Sequence, residues 1–339
     1  MPVKRDSNRR DFLKAGGVTA AWMALSPWLG ATASAQAPTG PRKKVLFFTK
    51  SAGFQHSAIT RPKDDPQKLA YAEQILTDLG ARNGFDVTCS KDGTVFTPQR
   101  IAETDVFVFY TTGDLTKDSD KFDTKKNEAG KNVPDPQRLL HKEPAMPSGA
   151  KEAFLEAIKS GKGFIGFHSA SDTFHSPKHQ KSEHELLRNV DEQGRDAFDP
   201  YIAMLGGEFI VHGKQQEATL RAIDPKFPGA GGFKDARFVE EWYALKNFSP
   251  DLHVILAQET KGMSGVMYER PIYPQTWARR HGTGRVFFTS MGHREDVWKK
   301  REFVAMTLAA LNWASGRIEA DVTPNIKEAM PGVPLAGGK

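Results

Sequence analysis

The sequence predicts an α/β fold, a single domain built on a largely parallel, partly mixed sheet between helices. Three observations lead there. Short, mostly apolar runs recur along the chain, helical segments stand among the first four, and the later ones follow one another with few helices between. Such a run suits a strand buried on both faces, because a strand with one wet face alternates polar and apolar residues.

The elements follow in order. Val45-Leu46-Phe47-Phe48 is the first run, after the basic pair Lys43-Lys44. Gln67 to Leu79 places Leu69, Ala72, Ile75, Leu76 and Leu79 at helical spacing. Phe85-Asp86-Val87-Thr88 and Val106-Phe107-Val108-Phe109-Tyr110 are the next strands, the second ending in Thr111-Thr112-Gly113-Asp114. Ala150 to Ile158 is helical, and Gly163-Phe164-Ile165-Gly166-Phe167 is the fourth strand. Beyond residue 215, Glu217 to Ile223, Leu252 to Ala257, Ser264 to Tyr268, Thr276 to Arg279 and Arg285 to Ser290 read as strands that extend the sheet or add a mixed edge. Arg301 to Trp313 is the closing helix. Lys117 to Pro147, rich in Lys, Asp, Gly and Pro, reads as a long surface loop. Gly229-Ala230-Gly231-Gly232 reads as a flexible linker, and residues 316–339 as a loose tail.

The N-terminus lies outside this pattern. Arg9-Arg10 precede Phe12-Leu13-Lys14, a weakly apolar stretch runs from Ala15 to Leu29, and Ala33-Ser34-Ala35 is a small-residue cleavage site. Basic region, apolar region and A-x-A read as a removable leader over residues 1–35, and the paired arginines point to the twin-arginine export machinery. Asn8 stands where Ser or Thr is usual. The expected location is the periplasm or the extracellular space. The leader holds five basic residues against two acidic ones, so three of the chain's +6 formal charges belong to it and +3 remain. No basic stripe is left, and a nucleic-acid partner is not expected. No second long apolar run follows, so no permanent membrane anchor is expected. The one cysteine, Cys89, excludes an intramolecular disulfide.

In an open α/β sheet, ligands bind beyond the carboxyl ends of the strands. Four histidines stand at such places or beside a glycine: His56, His168, His212 and His293. His168 follows a strand and precedes Ser169-Ala170, the form of a tight elbow that in hydrolases raises a nucleophile above the sheet. With histidine there, the residue suits general acid/base work or metal ligation, and Asp172, four residues on, is placed to orient it. The candidate catalytic residues are His168, Asp172, His293 and Glu241. The candidate substrate contacts are His56, Phe54, His212, Trp242, Tyr243 and Arg294, with the aromatic residues as apolar faces for a ligand. His56, His168, His212 and His293 are candidate ligands for a divalent metal. The tract His175 to His184 reads as a solvated loop.

Val45–His56, Gly163–Phe174, Gly206–Gly213, Glu241-Trp242-Tyr243 and Trp277–His293 together resemble the ThuA-like, trehalose-utilisation family over about residues 43–315. The most specific parts are Gly166-x-His168-Ser169-Ala170-Ser171-Asp172 and Gly292-His293. The resemblance implies a flavodoxin-like fold related to class I glutamine amidotransferases. Those enzymes carry cysteine at the elbow; this chain carries His168, so glutamine hydrolysis does not follow. The resemblance also implies a small carbohydrate as partner, a disaccharide or a 3-keto sugar derived from one. The expected function is an exported enzyme that isomerises, eliminates or hydrolyses such a sugar. A non-catalytic sugar-binding module and a metal-dependent hydrolase of another substrate class are the alternatives.

Overall fold

The computed structural model describes residues 40–176 and 198–336. The expected leader over residues 1–35 and the tract beyond Ser176, with His179 and His184, lie outside the described residues. Among those described, no helix is long and apolar enough to cross a membrane.

In chain order the strands are β1 (Lys43–Phe48), β2 (Phe85–Ser90), β3 (Val106–Phe109), β4 (Lys121–Lys126), β5 (Asn132–His141), β6 (Gly163–Phe167), β7 (Glu208–His212), β8 (Gln216–Ala222), β9 (Ala236–Glu240), β10 (Tyr243–Lys246), β11 (His253–Gln258), β12 (Tyr273–His281) and β13 (Gly284–Thr289). The helices are α1 (Tyr71–Arg82), α2 (Pro98–Glu103), α3 (Ala150–Lys159), α4 (Pro200–Leu205), α5 (Arg301–Ala314) and α6 (Ile326–Ala329).

The central sheet has nine strands in the order β2-β1-β3-β6-β13-β12-β11-β8-β9. The first five pair in parallel. From β13 onward every pairing is antiparallel, which is the mixed half expected from the helix-poor second part of the chain. The apolar runs are explained by burial on both faces. Val45 and Phe47 pack into one core with α1 and α5, while Leu46 and Phe48 pack into the other with α2, α3 and α4. Parallel pairing then delivers the carboxyl ends of β1, β3, β6 and β13 to one edge.

Several expectations need correction. Helix α1 begins at Tyr71 rather than Gln67, because the Glu73 carboxylate accepts the N–H of Ala70 at 2.8 Å and fixes the first turn there. Ser264 to Tyr268 is no strand; a 3-10 turn, Val266–Tyr268, follows Gly265 at φ +120°, and both Met267 and Tyr268 are buried. Lys117 to Pro147 is not a structureless loop, since β4 and β5 pair as an antiparallel hairpin. That hairpin is mostly solvated, so it has no apolar face to betray it. Gly229 to Gly232 is no flexible linker. Ala230 and Phe233 are buried in a 3-10 turn, and a Cβ on Gly229 (φ +83°) would meet Met306 Cα at 2.8 Å. The C-terminal segment is also ordered on the core: Ile326, Met330 and Val333 are buried, and the Ala336 N–H donates to the Phe248 carbonyl at 2.8 Å.

Candidate functional site

The edge reached by the parallel strands carries the expected histidines. His56 lies in the loop after β1, His168 directly after β6 and His293 four residues after β13; Glu241 separates β9 from β10. One donor atom from each of His56, His168, Glu241 and His293 lies within 4.8 Å of the others. The three rings pack edge to face, with centroids 4.8 Å apart for His56–His168 and 5.1 Å for each ring against His293.

Local backbone sets each ring. His168 adopts the left-handed conformation, φ +43°, at the start of the turn His168–Asp172. For a residue with a Cβ this is a strained state that only a tightly determined surround maintains. Its Nδ1 lies 2.8 Å from the Ser290 carbonyl oxygen. A carbonyl only accepts, so Nδ1 carries the proton and Nε2 turns a lone pair into the centre. His293 follows Gly292, whose φ of +112° a residue with a Cβ would not accept readily. The N–H groups of Gly292 and Arg294 donate to the Glu240 carboxylate at 2.8 and 3.3 Å, so Glu240 clamps the backbone on both sides of His293.

Glu241 ties the group together. Its Oε2 lies 3.0 Å from His293 Nδ1, 3.5 Å from His168 Nε2 and 3.9 Å from His56 Nε2. Its Oε1 lies 3.3 Å from Nδ1 of the half-exposed His212. His212 Nδ1 also lies 3.0 Å from the Gly213 carbonyl oxygen, which places its proton on Nδ1 and its lone pair on Nε2.

Electrostatics keeps His56 and His168 neutral and Glu241 charged. Burial, then the neighbouring His168 and His293, push His56 down to about 2. Burial also lowers His168, against the pull of the nearby Glu241 carboxylate. For Glu241, burial alone would raise the carboxyl, but the adjoining His168 and His293 rings outweigh it and hold the group well below the usual carboxylate range. The adjacent Glu240 goes the other way: burial pushes it up to about 7 despite the N–H groups it accepts. Neighbouring carboxyl groups are thus driven apart by their surroundings.

The remaining expected residues divide. Asp172 does not orient His168; that part falls to Ser290, and Asp172 Oδ1 lies 2.7 Å from His175 Nε2. Trp242 is fully buried and donates its Nε1–H to the Gln216 carbonyl, so it is a core residue with no face for a sugar. Tyr243 is buried as well, its ring 4.1 Å from that of His168 and its hydroxyl 3.4 Å from His56 Nε2. Phe54 remains a candidate platform: it is 70% exposed and its ring lies 5.0 Å from that of His56. Arg294 borders a 410 Å³ cavity with Ser57, Gln215, His293, Glu295 and Asp296. Sequence reasoning misses Gln215, whose Nε2 lies 2.9 Å from His293 Nε2, and Tyr110, whose hydroxyl donates to the Gly292 carbonyl at 3.1 Å. Tyr110 ends the third apolar run, and that position is the signal that could have found it.

Residues 189–314 match the ThuA family model, described as trehalose utilisation. Over those residues the chain is similar to the ThuA family. Glu241, His293 and His212 fall inside the matched segment; His56 and His168 come from the part of the sheet that precedes it. No curated protein matches the sequence. The fold is similar to that of a ThuA-like protein from Bacteroides uniformis, at 16% identity and TM-score 0.52, covering 87% of this chain and 100% of that one. It is also similar to a ThuA-like protein from Parabacteroides merdae, at 17% identity and TM-score 0.51, covering 84% and 93%. The mixed α/β fold of this chain is therefore shared with ThuA-like structures.

Proposed function

We propose that this ThuA-like protein is an exported enzyme of carbohydrate metabolism that moves a proton on a keto-sugar or keto-disaccharide. The observation that carries the reading is the division of Glu241, with Oε1 on half-exposed His212 and Oε2 facing three imidazoles in the interior. The trehalose-utilisation description of the family supports the substrate class, and the leader over residues 1–35 supports export.

A C–H beside a ketone is acidic enough for a neutral imidazole to remove it when the developing oxyanion is stabilised. His212 suits the base, since Glu241 and Gly213 hold its Nδ1–H and leave the Nε2 lone pair. The proton passes from carbon to Nε2, and its electron pair moves onto the carbonyl oxygen to give an enediolate. Arg294, at the cavity wall, is the cation available to that oxygen. Return of the proton to the neighbouring carbon isomerises the sugar; departure of a group from the β position eliminates it. Phe54 offers the sugar ring a face.

Proton NMR in D2O tests the reading. Wild-type protein should wash out the proton beside the carbonyl of a 3-keto-disaccharide, and His212→Gln should slow this by about 10²-fold or more. A wild type that neither exchanges that proton nor converts the sugar sinks the reading. Export is tested separately: Arg9→Lys with Arg10→Lys should trap an uncleaved precursor in the cytoplasm.

A further inference from the structure

The geometry points to a divalent transition-metal site on the buried side of Glu241, with His56 Nε2, His168 Nε2, His293 Nδ1 and Glu241 Oε2 as its ligands. It builds on the same Glu241 carboxylate as the reading above and adds a cation to that centre.

The first argument is distance. Ligands about 2.0–2.2 Å from a shared tetrahedral ion stand about 3.3 Å from one another. His168 Nε2 and His293 Nδ1 are 3.3 Å apart, and Glu241 Oε2 lies 3.0, 3.5 and 3.9 Å from His293, His168 and His56. Four of the six edges between donors from four separate segments thus lie near the edge length of such a tetrahedron, and all four donors lie within 4.8 Å of one another.

The second argument is the count of protons. Because Ser290 fixes the His168 proton on Nδ1, His168 Nε2 and Glu241 Oε2 turn lone pairs toward each other at 3.5 Å. A cation between them replaces that repulsion with two bonds. Three imidazoles and one carboxylate are the donor set of Zn, Mn or Fe rather than of Mg or Ca, which take oxygen. The His293 side of the centre borders the 410 Å³ cavity, so a substrate oxygen or water has a route to a further position on the ion. There it would stabilise an enediolate more strongly than Arg294 alone.

The third argument concerns Gln215. Ligation through Nδ1 puts the His293 proton on Nε2, which then needs an acceptor. In this structure Gln215 turns its Nε2 to His293 at 2.9 Å and its Oε1 to Arg294 Nη1 at 2.9 Å. Metal binding therefore requires the amide to turn over, leaving Arg294 to its other partner, Asp296, at 2.8 Å. Outer partners of this kind govern metal affinity by about 10- to 100-fold.

The test is calorimetric titration of the chelator-dialysed full chain with Zn²⁺ and, separately, Mn²⁺. The expected result is one ion per chain, with affinity at least tenfold weaker in Glu241→Gln and in His293→Ala. Gln215→Leu should weaken binding by about 10- to 100-fold, while Gln215→Glu, which supplies an acceptor to His293, should retain or tighten it. Glu241→Gln is isosteric, and circular dichroism confirms that it is folded. No saturable binding, or binding unchanged in folded Glu241→Gln, overturns the site. A chain that binds the ion yet exchanges no sugar proton upholds the site and sinks the function; one that exchanges the proton and binds no ion does the reverse.

Discussion

The backbone N–H of Gly292 donates to the Glu240 carboxylate at 2.8 Å, in a place solvent does not reach. The same carboxylate accepts from Arg294 N at 3.3 Å and from Glu241 N at 3.0 Å. One buried side chain therefore sets the position of both His293 and Glu241 without touching the cavity. Glu240→Ala strands these N–H groups, each of which costs on the order of 1–3 kcal/mol when buried unsatisfied. The expected outcome is a lower melting temperature together with a lower kcat for sugar-proton exchange. Unchanged melting would show that the clamp carries no strain-holding role.

A second buried carboxylate governs acid stability. Glu73 is fully buried and accepts from Arg61 Nε at 2.9 Å, Arg61 Nη2 at 3.1 Å and Thr49 Oγ1 at 2.6 Å. Burial alone would raise its carboxyl, but Arg61 outweighs this and the group is held below the usual range. A carboxylate depressed on folding adds stability at pH above its unfolded value of 4.5, and that stability is lost as pH falls through the folded value. Glu73→Gln leaves Arg61 without its partner and should cost about 3 kcal/mol at pH 7. Denaturant melts of both proteins from pH 7 to 3 should show the gap closing toward acid; a constant gap rejects the assignment.

Phe54 invites a kinetic prediction. It is exposed, stands edge-on to His56, and supports no core. Phe54→Ala should raise KM for the sugar several-fold, leave kcat near wild type and leave the melting temperature unchanged. A fall in kcat with KM intact would place Phe54 among the groups that order the centre instead.

Much of this site is legible in the sequence for one physical reason. Val45–Phe48, Val106–Tyr110, Gly163–Phe167 and Arg285–Ser290 read as strands, and parallel pairing brings their ends to one edge. The histidines after Val45–Phe48, Gly163–Phe167 and Arg285–Ser290 then fall in one place, and Glu241 joins them from the turn between β9 and β10. Ser290 and Gln215 are not legible in these roles, because each meets its histidine only through tertiary packing, 122 and 78 residues away in sequence. Asp172 illustrates the opposite error. Spacing brings it near His168, but the left-handed φ of +43° turns that ring toward Ser290. The β4–β5 hairpin escapes notice because its pairing buries little apolar surface.

The C-terminal segment gives the last prediction. Its Pro and Gly content suggests a loose tail, yet Ile326, Met330 and Val333 recur at spacings of four and three and are buried at 0%, 2% and 7% exposure. They pack in the same core as Trp277, Val254 and Leu252. The N–H of Asn325 donates to the Leu252 carbonyl at 3.1 Å, and the Val254 N–H donates to Asn325 Oδ1 at 2.7 Å, which fixes the segment across the end of β11. Ile326→Ala empties a fully enclosed site, for which large-to-small changes cost about 2–5 kcal/mol. Removing residues 318–339 should cost more, since it also strips the cover from Val254 and Trp277. Both effects are read by thermal denaturation. If the truncated chain melts with the wild type, the segment contributes nothing to the core and the loose-tail expectation is restored.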